Sequence, residues 1–341
     1  MDWNMIGHRW AIGLLGKHLR SGALRHAYLF SGPQGVGKRT LATRLASAIF
    51  CEREDDHPCG VCRACGHVSE LRHPDLHVVQ AEEGETTLKV HQIRDMQRRI
   101  SLAPYEADRR VVLLLRTHQM SVEAGNALLK TLEEPPADSV LLLTAESRES
   151  LLPTIVSRCE VLALRPVAND VLVRALRERL EQPERAESLA GLAAGRPGVA
   201  LKLATDDDEL ERRKEHVAEL VRLLQSDRRH RFSYADDLTP RKDASAERAR
   251  AQEILETWLA VLRALMLRVH GAGAGAANQS LADIGALAQA VTPRQAAEAT
   301  RGIERALVGL QLNANLQLTL ETALLKLPYV RLEGEGVRPA G

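Results

Sequence analysis

The sequence predicts an α/β domain built on a parallel sheet, followed by two all-helical regions. Three observations lead to this prediction. Short apolar runs alternate with helical patterns along the first half of the 341-residue chain, as they do when helices join parallel strands. A glycine-rich turn between the first apolar run and a helix is typical of a phosphate-binding loop. From residue 167 onward, apolar residues recur at helical spacing.

The elements of the α/β region follow one another in a simple order. Residues 27–30 form an apolar run that predicts a buried strand, and residues 38–50 predict a helix with Leu41 and Leu45 on one face. The region ends at Pro166, because proline blocks the continuation of a helix or strand. Further apolar runs predict the remaining strands, at 77–79, 111–115, 140–143 and 160–164.

The chain is long enough for two or three domains, each with a core of its own. An acidic run at 205–209 fits the start of a helix, since carboxylates are favourable at helix N-termini, and we place a boundary there. The predicted division is an α/β domain at 1–166, a small helical lid at 167–205, an all-α C-terminal domain at 206–332 and a flexible tail at 333–341.

Leucine stripes predict long helices in the C-terminal domain. One covers residues 254–269, and a long final helix covers 307–327, with Asn313 and Asn315 interrupting its apolar pattern. A glycine-rich break at 271–275 separates them. Apolar stripes of this kind suit either an interface with other subunits or an ordinary core.

Composition argues against several classes of function. The net charge is +1 and aromatic residues make up 3% of the chain, whereas nucleic-acid binders carry a basic excess or aromatic stacking platforms. The sequence contains no run of about 18 apolar residues, so we expect no membrane span. The N-terminal residues 1–4 lack the basic and apolar character of a secretory signal, so we expect a cytoplasmic protein.

The glycine-rich turn reads Gly-Pro-Gln-Gly-Val-Gly-Lys over residues 32–38. Gly32, Gly35 and Gly37 would let backbone amides face an anion, and Lys38 would reach the outer phosphates of a nucleotide. The full motif places Ser or Thr after the lysine to hold Mg²⁺, but Arg39 occupies that position and repels a cation. The loop is therefore a degenerate one, and its binding of nucleotide is left open.

The strand at 111–115 should end in an acidic pair that binds Mg²⁺ and orients water, but it runs into Arg116 and Thr117. His118 is a poor substitute for a carboxylate. Losses at two separate motifs predict that this chain does not hydrolyse its own ATP.

Four of the five cysteines, Cys51, Cys59, Cys62 and Cys65, lie within fifteen residues. In a cytosolic chain this spacing favours a metal site over disulfides, and four thiolates form the closed tetrahedral set of a structural Zn²⁺ site. An iron–sulfur cluster is a minor alternative, and a catalytic zinc ion is less favoured still. We expect Cys159, which is far away in the sequence, to be a packing residue.

Three segments resemble the AAA+ clamp-loader family of bacterial DNA polymerase III: residues 24–40 around the glycine-rich loop, residues 126–136 and residues 153–159. The four-cysteine insert is similar to that family as well. The resemblance covers about the first 205 residues by motif. It implies an AAA+ P-loop NTPase-like sheet domain, a helical lid and an α-helical collar domain for oligomerisation. The family contains active motor subunits and a related inactive one, and the two lost motifs make this chain similar to the inactive subunit.

The resemblance also implies roles for individual residues. Ser157-Arg158-Cys159 matches the motif that carries the family's trans arginine, so Arg158 would contact the γ-phosphate of ATP on a gamma or tau neighbour. The lid segment 195–198 lies where motor members carry a nucleotide-sensing arginine, with either Arg196 or Gly198 at that position. The implied partners are gamma/tau and delta subunits, with the sliding clamp and primed DNA reached through the complex. The implied cofactors are a structural Zn²⁺ and ATP bound by the neighbour.

Two other functions compete with this one. The chain could be an active ATPase motor of the same family with an unusual site, or a zinc-containing nucleic-acid-binding protein. In the preferred interpretation the chain has no ATPase or polymerase activity of its own, but belongs to a DNA-directed DNA polymerase complex.

Overall fold

A computed structural model describes residues 3–53, 57–82, 84–239, 244–271, 282–312 and 314–330. The predicted tail at 333–341 and all of the predicted break at 271–275 except Gly271 lie outside these residues. The chain divides into two compact units. The first comprises Met1–Ala168 with Arg196–Gly198, and the second comprises Asn169–Gly195 with Val199–Gly341.

The first unit contains a five-stranded parallel sheet, which confirms the predicted fold class of this part of the chain. Its strands lie in the order β2-β3-β4-β1-β5. Nearly continuous apolar runs form them, because both faces of such a sheet are covered by helices. The strands are β1 (Ala27–Ser31), β2 (Leu76–Val79), β3 (Arg110–Leu114), β4 (Ser139–Ala145) and β5 (Glu160–Ala163).

Helices pack against both faces of this sheet. On one face, Leu15, Leu41 and Leu45 join Phe30 and Leu113 in a fully buried cluster. On the other face, Ile93, Met96 and Leu128 pack with Leu114 and Leu143. The helices of the unit are α1 (Arg9–Arg20), α2 (Lys38–Phe50), α3 (Arg63–Ser69), α4 (Val90–Ile100), α5 (Val122–Glu133) and the short α6 (Pro153–Val156).

In the rest of the chain, the described residues form helices and their connecting loops, with no strands. Helix α9 begins at Pro197, within the short segment assigned to the first unit, and continues into the second. None of the described helices is long and apolar enough to span a bilayer. The helices are α7 (Asn169–Arg177), α8 (Ala186–Ala193), α9 (Pro197–Thr205), α10 (Asp207–Gln225), α11 (Arg228–Asp237), α12 (Ala244–Val269), α13 (Ala282–Ala290), α14 (Pro293–Gln311) and α15 (Leu316–Leu325).

The acidic run at 205–209 begins a helix, as predicted. The side chain of Asp206 accepts a hydrogen bond from the backbone amide of Glu209 at 2.9 Å and caps α10. Because this carboxylate satisfies one of the unpaired amides of the first turn, a cluster of acidic residues is favourable here.

The prediction of one final helix over 307–327 is wrong. The chain forms α14 and α15 instead, and the side chain of Asn315 accepts a hydrogen bond from the amide of Leu318 at 3.0 Å, which starts the second helix. Apolar residues continue at helical spacing on both sides of the break, so periodicity alone does not reveal it. The helix predicted at 254–269 begins ten residues earlier, at Ala244.

Candidate functional site

The glycine-rich loop connects the end of β1 to the start of α2, as the sequence predicts. Gly32, Gly35 and Gly37 have φ values of +148°, +77° and +108°, which favour glycine. A Cβ atom on Gly32 would lie 2.3 Å from the carbonyl oxygen of Leu164, so no larger residue fits at this position. The local sequence thus builds the tight turn that a phosphate-binding loop requires.

The lysine of the loop is turned back onto its own backbone. The Nζ atom of Lys38 donates hydrogen bonds to the carbonyl oxygens of Gly32 at 2.5 Å and Pro33 at 2.8 Å. The backbone amide of Gly198 donates to the carbonyl oxygen of Gly35 at 2.8 Å, which brings the segment 196–198 onto the loop. Gly198 therefore contacts the loop through its backbone, while the side chain of Arg196 is buried.

The end of β3 carries a cation where hydrolysis needs an acid. Arg116 follows this strand in a left-handed conformation with φ +53°, and its amide donates to Oγ1 of Thr144 at 2.9 Å. His118 is close by. Burial, together with the positive charges of Lys38 and Arg116, lowers the pKa of His118 to about 4. Its imidazole is therefore neutral near pH 7. It adds no positive charge, but unlike a carboxylate it does not offset the charges of Lys38 and Arg116.

Sequence reasoning missed one carboxylate at this edge of the sheet. Oε1 of Glu146, which follows β4, lies 3.9 Å from Nε2 of His118. This contact is too long for a hydrogen bond, and a neutral imidazole makes no ion pair with the carboxylate. Part of the signal was present in the sequence, because Glu146 follows the predicted strand at 140–143 and the carboxyl ends of parallel strands meet at one edge. The position of β4 between β3 and β1 comes from the structure.

The four cysteines of the insert come together, as predicted. The sulfur atoms of Cys51, Cys59, Cys62 and Cys65 all lie within 4.8 Å of one another. A tetrahedral zinc ion with Zn–S bonds of about 2.3 Å needs sulfur atoms about 3.8 Å apart, so only small shifts would close the site. The Sγ atoms of Cys59 and Cys65, for example, are 4.0 Å apart.

Backbone amides point at the cysteine sulfurs. Sγ of Cys59 accepts from the amide of Cys62 at 3.3 Å, and Sγ of Cys62 accepts from the amide of Cys65 at 3.4 Å at the start of α3. The amides of Val61 and Cys62 lower the pKa of Cys59 to about 6, whereas burial raises the pKa of Cys51 and of Cys65. Such amides stabilise thiolates, which are the metal-binding form of cysteine. The donor set therefore fits a structural metal ion.

Arg158 follows α6 at the start of β5, and its terminal nitrogens are both engaged. Nη2 lies 2.7 Å from Oε1 of Glu133, at the end of α5. Nη1 donates to the carbonyl oxygen of Thr154 at 2.9 Å and to Oγ of Ser157 at 3.4 Å. The side chain of Arg158 remains 35% exposed. Glu133 is a second residue that sequence reasoning missed, although it lies within the segment 126–136 that carried part of the resemblance.

The structure does not bring Arg158 to the glycine-rich loop of its own chain. In the parallel pairing of β1 with β5, Tyr28 is opposite Glu160 and Ser31 is opposite Ala163. Arg158 precedes β5 at the amino edge of the sheet, whereas the loop follows β1 at the carboxyl edge. Three residue steps of about 3.3 Å each, or about 10 Å of strand, separate the two edges.

The fifth cysteine is separate from the insert. Cys159 packs against the apolar cluster formed by α4, α5 and the sheet, as expected of a packing residue. Burial raises the pKa of its thiol to about 12, so it stays protonated and unreactive.

Comparisons with known proteins find similarity to subunits of DNA polymerase III. Residues 7–168 match the family model described as DNA polymerase III, delta subunit. The chain is 34% identical over 224 residues to DNA polymerase III subunit delta' of Bacillus subtilis, which covers 66% of this chain and 67% of the relative. It is 42% identical over 183 residues to subunit delta' of Pseudomonas aeruginosa, and this aligned stretch covers 52% of this chain and 55% of the relative.

A tau subunit is similar over a shorter stretch. The chain is 38% identical over 157 residues to DNA polymerase III subunit tau of Salmonella typhimurium, which covers 46% of this chain and 24% of that protein. The chain thus spans two thirds of one delta' relative, about half of the other and a quarter of the tau subunit. On the strength of the delta' matches, the chain belongs to the delta' family of DNA polymerase III clamp-loader subunits.

Proposed function

We propose that this chain is a catalytically inactive AAA+ module of the clamp loader, and that Arg158 completes the ATP site of a neighbouring subunit. The observation that carries this proposal is the position of Arg158 at the amino edge of the sheet, while the glycine-rich loop lies at the carboxyl edge. An arginine placed there cannot serve the loop of its own chain. It can reach a triphosphate that another subunit presents to this edge.

The chemistry of the side chain suits that role. A guanidinium offers five N–H groups in a rigid fork, and it stabilises the charge that develops on a transferring phosphoryl group. The exposed third of the Arg158 side chain leaves it accessible to such a partner. Arginine fingers of this kind raise turnover by about 10³–10⁵-fold.

The chain's own loop lacks the means of hydrolysis. Mg²⁺ bound there would face Arg39 in place of a hydroxyl ligand and Arg116 in place of an acidic pair. Positive charges at both positions repel the metal, and nothing at the end of β3 replaces the missing carboxylates. Gly32, Gly35, Gly37 and Lys38 retain the form of a phosphate-binding loop without its catalytic parts.

The partners follow from the family. The similarity to tau supports assembly with gamma/tau motor subunits, and we add the delta subunit, with the sliding clamp and primed DNA engaged through the complex in the cytoplasm. The helices of the C-terminal region would form the oligomerisation collar. The four insert cysteines would hold a structural Zn²⁺ ion, whose contribution is to fix the fold of the insert rather than to act on a substrate.

The test is a reconstituted clamp loader that carries Arg158→Ala in this chain. We expect normal assembly, loss of the DNA-stimulated ATPase contributed by one site, and slower clamp loading. Arg148→Ala is the matched control, because Arg148 is an exposed arginine whose ion pair among the described residues is with the adjacent Glu149, at 2.8 Å. Unchanged ATPase activity and clamp loading in the Arg158→Ala complex would contradict the proposal.

The competing function as an active motor has its own test. Magnesium-dependent ATP turnover by the purified chain that Lys38→Ala abolishes would establish it and overturn the inactive assignment. A zinc-containing nucleic-acid binder would instead show affinity for DNA that falls steeply with salt. The net charge of +1 counts against that function.

A further inference from the structure

The ion pair between Glu133 and Arg158 has no role in the function proposed so far. Oε1 of Glu133 lies 2.7 Å from Nη2 of Arg158, a close ion pair. The second terminal nitrogen is also occupied, by the carbonyl oxygen of Thr154 and the hydroxyl of Ser157. In the isolated chain, the guanidinium is therefore held by its own surroundings.

The location of Glu133 is unusual for a carboxylate. It is the last residue of α5, where the helix dipole and the unpaired carbonyl groups favour a cation. A negative charge there is unfavourable unless a positive group compensates it. Arg158 supplies that group, so the pairing stabilises both the helix end and one position of the arginine.

A neighbour's triphosphate would compete with Glu133 for the same nitrogen. Both are anions attracted to the Nη2 edge of the guanidinium, and a carboxylate 2.7 Å away offsets the positive charge that the phosphoryl group needs. The pair is half-exposed, with side-chain exposures of 35% and 50%, so the competition takes place near water and is modest in size.

We propose that Glu133 is the counter-ion that restrains Arg158 until the interface with the neighbouring subunit closes around bound ATP. The inference rests on the proposed function of Arg158 and deepens it. Glu133 is thus a positioning residue, which acts only through Arg158. Its effect is to keep turnover low while the complex is not engaged with DNA and clamp.

The experiment uses the reconstituted complex with Glu133→Gln in this chain, which keeps the shape of the side chain and removes its charge. We expect the DNA-independent ATPase rate to rise about two- to fivefold, the range that corresponds to an exposed ion pair. The rise should be in kcat with KM for ATP unchanged, since the finger acts on charge that develops during phosphoryl transfer. A structural disturbance of the interface would change KM or assembly instead.

Two further variants make the result specific. Glu134→Gln removes a charge from the next residue, which is exposed and is not among the polar partners of Arg158 in the described part of the chain, and we expect it to leave the rate unchanged. Glu133→Gln combined with Arg158→Ala should have the same rate as Arg158→Ala alone, because the counter-ion has nothing left to restrain.

The outcomes separate this inference from the function on which it depends. Arg158→Ala without effect overturns the finger itself. Arg158→Ala with low turnover, together with an unchanged or decreased basal rate in Glu133→Gln, overturns only the counter-ion role. A rise that persists in the absence of Arg158, or that Glu134→Gln reproduces, overturns it as well.

Discussion

The carboxylate of Asp75 accepts a hydrogen bond from the backbone amide of Tyr105, with Oδ1 2.6 Å from the nitrogen. Its other oxygen accepts from the amides of Glu106 at 2.9 Å and Ala107 at 3.0 Å. Asp75 precedes β2, and its side chain is fully buried. One buried carboxylate therefore fixes the loop that leads into β3, and it leaves the side chain of Tyr105 exposed.

We expect Asp75→Ala to destabilise the protein by at least about 3 kcal/mol. The substitution removes three hydrogen bonds to a buried charged acceptor and leaves three partly buried amides without these partners. Urea unfolding measures the loss, and Asp108→Ala in the same loop is the control, since Asp108 is exposed. Equal stability of the two variants would contradict this role of Asp75.

The same carboxylate makes a specific contribution to acid sensitivity. Burial alone would raise the pKa of Asp75, but the amides of Tyr105, Glu106 and Ala107, with the charge of Arg110, outweigh it and hold the pKa below its usual value. Because the folded-state pKa is the lower one, the stabilisation is complete above the unfolded-state value of about 3.9 and disappears as pH falls through the folded-state value.

We therefore expect the stability difference between the wild type and Asp75→Asn to be constant near pH 6 and to narrow below about pH 4. Urea titrations at a series of pH values measure this difference. Asp108→Asn should follow the wild-type curve throughout. A difference that widens on acidification would mean that Asp75 binds its proton more readily in the folded chain.

The cysteine cluster predicts a metal requirement. Cys62→Ser should abolish zinc binding, measured by elemental analysis, and lower Tm by about 4 °C or more, because binding of a structural ion contributes folding free energy. Cys159→Ala is the control for zinc content, which it should leave unchanged, since Cys159 packs in the apolar cluster away from the insert. Iron and visible absorbance in the purified protein, in place of zinc, would support the iron–sulfur alternative.

Features that depend on short stretches of chain could be predicted from the sequence. The loop after β1 requires glycines within six residues, and the thiolate cluster requires cysteines within fifteen. Both are encoded by local spacing, and the structure places both as expected. Arg158 could be singled out because its neighbours in the sequence form a recognisable motif.

Contacts between distant segments could not be predicted in the same way. Glu133 meets Arg158 only because the ends of α5 and α6 lie together, and the 24 residues between them carry no signal for this pairing. Asp75 similarly binds amides about 30 residues away. The division between α14 and α15 could not be predicted for another reason, because apolar spacing continues across it. Asn315 interrupts the apolar pattern in the sequence, and only the structure shows that its side chain caps α15.

The second unit contains a buried arginine with no acidic partner among the described residues. Nε of Arg231 donates to the carbonyl oxygen of Leu223 at 3.0 Å, Nη1 donates to that of Leu327 at 2.6 Å, and Nη2 donates to that of Pro328 at 2.8 Å. These carbonyl groups lie at or just beyond the C-terminal ends of α10 and α15, where helices leave acceptors unpaired and favour a cation.

We expect Arg231→Met to destabilise the second unit by about 3 kcal/mol or more, because it leaves buried carbonyl groups unpaired while it preserves most of the apolar volume. Arg231→Lys should recover only part of the loss, since an ammonium cannot donate along three fixed directions. Hydrogen exchange of the amides in Leu316–Leu325, compared with urea unfolding, would locate the effect at α15. Arg228→Met on the same helix is the matched control, because Arg228 is exposed, and equal exchange rates in Arg231→Met and Arg228→Met would contradict the anchoring role.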